Sequence, residues 1–330
     1  MLRLSARAAA IALVLAPAAA RAQGGELSSA CAGQLIVARD ACQKASDLFR
    51  FLAPQLGVLV AGGNVEPGQG GALGGLGHFG VSVRANALRS PLPEFNRVSA
   101  SVTGPQRSDI PVEVTTVAFP VADLAVGIFN GVSLGVTRVG GIDALVNATY
   151  VPDISQDQVS VSTRGGSVRV GYGARLGLLS ESTLVPGVSV SVLRRSTPTA
   201  RIVAVAGDDS LDVSDTRTDA TSWRLTASKR LVIIALAAGV GQDRLRTRAL
   251  VRGVAVVGPV GAESSVRLSQ SLTRTNYFAN LTLLAIPFAR IVGEVGRSTG
   301  GSLPATYNNI DGRRPDAAYT YGSLGLRVGR

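Results

Sequence analysis

The chain is poor in the residues that build metal and redox centres. Its 330 residues include one histidine (His78) and two cysteines (Cys31 and Cys42). That is too few for a clustered Cys/His metal site, and neither a metal nor a cofactor is expected. Charge is scarce too, at 17% of residues, against about 25% in an average soluble domain. Apolar residues make up 46%, which excludes disorder driven by charge. Lysine occurs only at Lys44 and Lys229, so the excess of 33 basic over 22 acidic residues is carried by arginine. Aromatics are thin, at 5%. No aromatic RNA-binding motif accompanies the arginines, and nucleic acid is not an expected partner. Beyond the first 22 residues there is no apolar run of the ~20 residues a spanning helix needs. Glycine, by contrast, is abundant, with 39 residues. Each costs about 1 kcal/mol in a helix interior, so a helical bundle is disfavoured.

The N-terminus reads as an export signal. MLRLSAR is basic, AAAIALVLAPAAA is apolar, and Ala20-Arg21-Ala22 is a small-x-small cleavage site. Residues 1–22 are therefore expected to be removed, leaving Gln23 first. Export permits a disulfide between Cys31 and Cys42. In an unbroken helix the two would stand about 16 Å apart, beyond the about 7 Å between Cα atoms that a bridge tolerates. A bridge requires a break, and Gly33 is its natural place. Lipidation of Cys31 is the alternative use of that residue.

Residues 26–50 have few glycines and a loose three-to-four apolar spacing, which predicts a helix. Residues 51–76 are Gly-rich and low in charge, either a linker or an irregular segment packed inside something. From His78 the period changes to two. Phe79, Val81, Val83, Ala85 and Ala87 share one face of a strand, and Ser82, Arg84 and Asn86 share the other. The pattern returns at 167–178, where Val168, Val170, Tyr172, Leu176 and Leu178 oppose Arg169, Gly171, Gly173 and Arg175. It returns again in PGVSVSVLRR, TSWRLTASKR, TNYFANLTLL, FARIVGEVGR and the C-terminal YTYGSLGLRVGR. Weaker strand signals lie near 94–103, 124–138, 142–151, 199–206, 246–257 and 263–271. LVIIALAAGV (231–240) is apolar on both faces, as a strand covered inside by the N-terminal segment would be. The aspartates at 208, 209, 212, 215 and 219 read as a solvated loop, without the glycine-bearing spacing of a Ca²⁺ loop.

Segments of about ten residues, apolar on one face and Gly/Ser/Arg on the other, match strands crossing a bilayer at a tilt. In lipid such strands must close into a barrel, because no backbone group can go unpaired. After an export signal, this repetition resembles the Gram-negative outer-membrane β-barrel proteins over roughly residues 77–330. The helical segment followed by a Gly-rich stretch also resembles, loosely, the hatch-plus-barrel layout of the long-chain fatty-acid transporter family. The organisation expected is a signal peptide (1–22), a plug or periplasmic segment (23–76) and an all-β antiparallel barrel (77–330). At roughly 20 residues per strand and connection, the barrel has about 12 strands, within a range of 10 to 14. A secreted or periplasmic β-sandwich serving binding or structure is the competing class.

Two short motifs invite chemistry. Gly75–Gly80 matches G-x-G-x-x-G, but a strand follows where a nucleotide site needs a helix. Gly131-Val132-Ser133-Leu134-Gly135 matches a nucleophile elbow, yet the only histidine precedes the serine. A lipase-like pair on the outer wall would need His78 facing lipid, whereas the register puts Phe79 there. The chain is therefore expected to be non-enzymatic. Arg84, Arg169, Arg175, Arg224, Arg230, Arg290 and Arg327 all fall on the inferred inner face, with Glu294 as the counter-charge recognised there. Arginines inside a pore favour anions, or else they pair with the plug or with loop carboxylates; passive or gated passage of an unnamed small solute is the function expected. The other partners expected are outer-membrane lipid, the phosphates of lipopolysaccharide met by arginines near strand ends, and the barrel-assembly machinery.

Overall fold

A computed structural model describes residues 25–65, 68–156, 159–206, 209–257, 260–283 and 289–329. The expected signal peptide lies outside them. Ten strands form one antiparallel meander: β1 (Phe79–Pro93), β2 (Val112–Phe129), β3 (Gly141–Tyr150), β4 (Val168–Leu179), β5 (Gly187–Ser196), β6 (Asp209–Arg230), β7 (Ile234–Val257), β8 (Val260–Leu283), β9 (Ala289–Thr299) and β10 (Tyr319–Gly329). Each pairs with the next, and β10 returns to β1 from Gly80–Gly329 to Leu88–Tyr321. The ring is closed and leaves no open edge. Ten is the low end of the predicted range. The count falls because β6, β7 and β8 run 22, 24 and 24 residues, longer than the average used to divide the chain.

Alternation sets the walls. Val83 and Val170 are each 60% exposed and Leu324 65%, all pointing outward. Ser82, Arg84, Asn86, Arg175, Ser189, Arg224 and Asn276 point inward and are buried. Among the described residues no second layer of the chain covers the outward valines and leucines, so the closed barrel replaces the β-sandwich alternative. Three short strands, Ile154–Gln156, Val159–Arg164 and Thr199–Ala206, extend sideways from the first half of β6. Two expectations are corrected here. Residues 94–103 are a 3-10 turn at Phe95–Arg97 and a loop. The aspartates from 209 to 219 belong to β6 rather than to a loop; Asp212 and Asp219 are held there by Arg201, Arg217 and Arg248 at 2.8–3.2 Å. Asp208 lies outside the described residues.

The two mouths differ. One carries the connections β1–β2, β3–β4, β5–β6 and β9–β10 (the loop mouth); the other carries β4–β5, β6–β7 and the start of β1 (the turn mouth). Helix α1 (Ile36–Ala61) fills the lumen from the loop mouth inward. It has no solvated face between Ala41 and Phe49, because every residue there is buried. Ala45, Phe49 and Ala53 pack on Ala249 and Val251 of β7, and Val58 and Leu59 pack on Leu88, Tyr319 and Tyr321. The helix starts and ends later than its sequence predicts. Before it, Cys31 and Cys42 are bridged with Cα atoms 5.8 Å apart, so 32–35 must turn instead of coil. At its end, the wall supplies apolar partners for Val58–Ala61 that the isolated sequence lacks.

Beyond Ala61 the chain continues down the lumen. The Asn64 amide donates to Glu294 at 3.1 Å, Gly70 to Ser228 Oγ at 2.7 Å and Leu73 to Asp143 at 3.1 Å. It reaches the turn mouth at Gly75–His78 and only then turns back as β1. The N-terminal segment thus threads the barrel from one mouth to the other.

Candidate functional site in the barrel lumen

The inward face brings buried arginines and aspartates together in pairs. Arg84 Nε donates to Asp123 Oδ2 at 2.6 Å, Arg175 Nε to Asp143 Oδ2 at 2.8 Å, and Arg224 Nη1 lies 2.7 Å from Asp243 Oδ1. Each aspartate follows from strand register. Ser82 is opposite Asp123, Arg175 opposite Asp143 and Arg224 opposite Gly241, two residues from Asp243 on the same face. Asp123 also accepts from Asn147 Nδ2 at 2.6 Å, and Asp243 from Ser222 Oγ at 2.6 Å. Buried ions are tolerated when paired and hydrogen-bonded in this way.

Arg195 is held differently. Its Nη1 donates to Ala61 O at 2.7 Å and its Nη2 to Gly63 O at 2.8 Å. These are carbonyls at the end of α1, which lack helical partners and carry the negative end of the helix dipole. Gly63 sits at φ 72°, and a Cβ there would overlap the Arg84 guanidinium. Glu294 receives Asn64 and the Tyr321 hydroxyl, the latter at 3.0 Å. At the loop mouth Asp47 accepts from the Tyr307 and Asn308 amides at 3.2 and 2.9 Å. Burial raises its carboxyl above the ordinary aspartate value against these hydrogen bonds.

Of the seven arginines singled out by sequence, Arg84, Arg175, Arg224 and Arg327 are buried in the lumen, Arg327 donating to Gln69. Arg290 is half-buried and faces Arg327 across β9–β10. Arg169 is solvent-exposed towards the loop mouth, and Arg230 at the turn mouth. Sequence reasoning recognised Glu294 but missed Asp123, Asp143 and Asp243, which neutralise the central arginines. The lumen is therefore not a bare basic channel. The signal was present: each is a lone aspartate at an alternate position of its strand, Asp123 and Asp143 among apolar neighbours and Asp243 between Gln242 and Arg244.

Little space remains. One cavity of about 30 Å³ lies between Asn64, Arg175, Arg195 and Arg224, and another of about 10 Å³ beside Glu294 and Arg327. Such volumes hold at most a few waters. A larger recess of about 510 Å³ opens at the turn mouth between Gly71–Gly74, Arg138, Glu181 and Arg230. Ser133 sits on an exposed hairpin (Val132–Leu134 with Thr137–Val139) and His78 just ahead of β1. No hydrogen bond joins them among the described residues, and no group of metal-ligating side chains occurs there.

No protein-family model matches this chain, and neither does any curated relative. Solved structures similar to parts of it include Ail, the attachment invasion locus protein of Yersinia pestis. It is 10% identical, with 77% of this chain and 99% of that one covered, at a TM-score of 0.26. The outer-membrane protease OmpT of Escherichia coli is 9% identical over 77% and 97%, with a TM-score of 0.31. A mutant of the monoaromatic hydrocarbon channel TodX is 9% identical over 76% and 67%, with a TM-score of 0.29. All three likenesses are slight; the barrel assignment stands on the chain's own strand pairing.

Proposed function

We propose that the chain is a non-enzymatic outer-membrane β-barrel, exported through a cleaved signal peptide, that its own N-terminal segment keeps closed. Small molecules pass only when that segment shifts. The observation that carries the reading is the threaded lumen: α1 occupies the half towards the loop mouth, and residues 62–65 and 68–77 the other. The outward apolar belt supports the membrane setting, since a charge at the lipid midplane costs about 2–4 kcal/mol. Ten strands enclose more room than an eight-stranded filled barrel, so withdrawal of the segment leaves a passage. Below the helix the segment is held chiefly by hydrogen bonds, each worth only about 0.5–1.5 kcal/mol net because water can replace it.

Conductance in planar bilayers tests this. The intact protein carries no steady current. A variant lacking residues 25–77 conducts ohmically while keeping heat-modifiable gel migration. Should that variant misfold, Arg195→Ala with Glu294→Ala loosens the segment in place and gives intermittent openings. Steady current through the intact protein would refute occlusion, and silence of folded loosened variants would refute passage.

A further inference from the structure

Arg195 is a buried charge in the lumen without a counter-charge of its own. Arg84, Arg175 and Arg224 each hold an aspartate, at 2.6–2.8 Å. Arg195 is as buried as they are and makes no ion pair among the described residues. The aspartates that neighbour it, Asp123 and Asp243, are committed to Arg84 and Arg224. The Ala61 and Gly63 carbonyls that it does bind belong to a helix end, which offsets only about half a unit charge. Its Nε has no hydrogen-bond partner among the described residues. Part of a positive charge is left over where water is scarce, and an unmatched buried charge is costly.

Arg195 lines the lumenal cavity of about 30 Å³, and the rest of the lining matches the surplus. Arg175 and Arg224 line it too, while no carboxylate does among the described residues. Strand register adds hydroxyls: across β5–β6, Ser189 lies opposite Thr226 and Ser191 opposite Arg224. These three hydroxyls line the cavity and make no hydrogen bond among the described residues, so each is free to turn its proton inward. A guanidinium offers donors and no acceptor. Water here meets more donors than acceptors, whereas an anion accepts from every one. The volume admits one or two water-sized bodies. A monatomic ion fits; a carboxylic acid or phosphate in transit does not.

We infer that this cavity is a resident site for one halide ion, chloride under ordinary conditions, held by Arg195 with the Ser189, Ser191 and Thr226 hydroxyls. The ion neutralises the guanidinium that grips the end of α1, so chloride tightens the closed lumen instead of passing through it. The inference rests on the occluded reading, because residues 63–65 of the N-terminal segment complete the lining.

The test uses the full mature protein and Ser189→Val, which fills the space and removes no hydrogen bond found among the described residues. Both are refolded in detergent micelles and unfolded with urea, with chloride replaced stepwise by gluconate at constant ionic strength. For one bound ion, the wild type's ratio of folded to unfolded protein should rise about tenfold for each tenfold rise in chloride above its dissociation constant. Bromide should substitute, and gluconate, too large to enter, should not. Ser189→Val should show no such rise. Equal stability in chloride and gluconate overturns the site and leaves the cavity to water; so does a chloride effect that survives in Ser189→Val. Should that variant not fold, wild-type crystals grown in bromide decide: an anomalous-scattering peak between Arg195 and Ser189 supports the site, and its absence overturns it. Steady current through the wild type in planar bilayers, with the chloride effect intact, would defeat the closure reading alone.

Discussion

Asp123 shows how a single side chain holds this lumen. It is almost fully buried and accepts from Arg84 and Asn147 at 2.6 Å each and from Ser82 at 3.3 Å. Asp123→Ala leaves a buried guanidinium without its counter-charge. The expected loss is about 3–5 kcal/mol, measured by urea unfolding in detergent micelles. Adding Arg84→Met should recover part of it, because the pair itself nearly breaks even against apolar packing. Additive losses would show that the two do not act as a pair. The arginine half of this interaction was legible, since a charge on an alternating strand must face away from lipid. The aspartate half was not, because partners on different strands are matched by register, which one sequence does not display.

At the level of elements, alternation was read correctly wherever one face meets hydrocarbon. Phe278, an exception in its segment by residue type, is an inward, buried side chain and obeys the same alternation. Boundaries failed where tertiary surroundings override local preference. Helix α1 extends through Pro54 and Gly57 to Ala61 because Leu245, Tyr319 and Tyr321 receive that turn. The disulfide anchors the other end, where Lys44 pairs with Asp40 at 2.5 Å and Asp40 accepts the Ser101 amide at 2.7 Å. Closing a loop with sequence separation 11 is worth about 3 kcal/mol. Replacing both cysteines by serine should therefore loosen the first turns of α1. Trypsin should cut faster at Arg39 while heat-modifiable migration stays the same; an unchanged cleavage rate would mean that the wall alone fixes the helix.

For the whole molecule, the direction of threading has a consequence for topology. Gly25 donates to Thr306 O at 3.0 Å, in the connection between β9 and β10, so the segment starts at the loop mouth while β1 starts at the turn mouth. The barrel must close around a chain that already passes through it. An epitope placed ahead of Gly25 should be reached by antibody on intact cells. Labelling only after the outer membrane is opened would reverse the threading or the orientation. Local sequence sufficed for the all-β class and for the faces turned to lipid, because those depend on neighbours one or two residues away along the chain. It bounded the strand count at 10 to 14 without fixing ten, left the helical segment as either plug or periplasmic, and was silent on the aspartates that neutralise the centre of the lumen. Those depend on which residues meet across hundreds of positions, and closure of β10 on β1 settles that for the molecule at once.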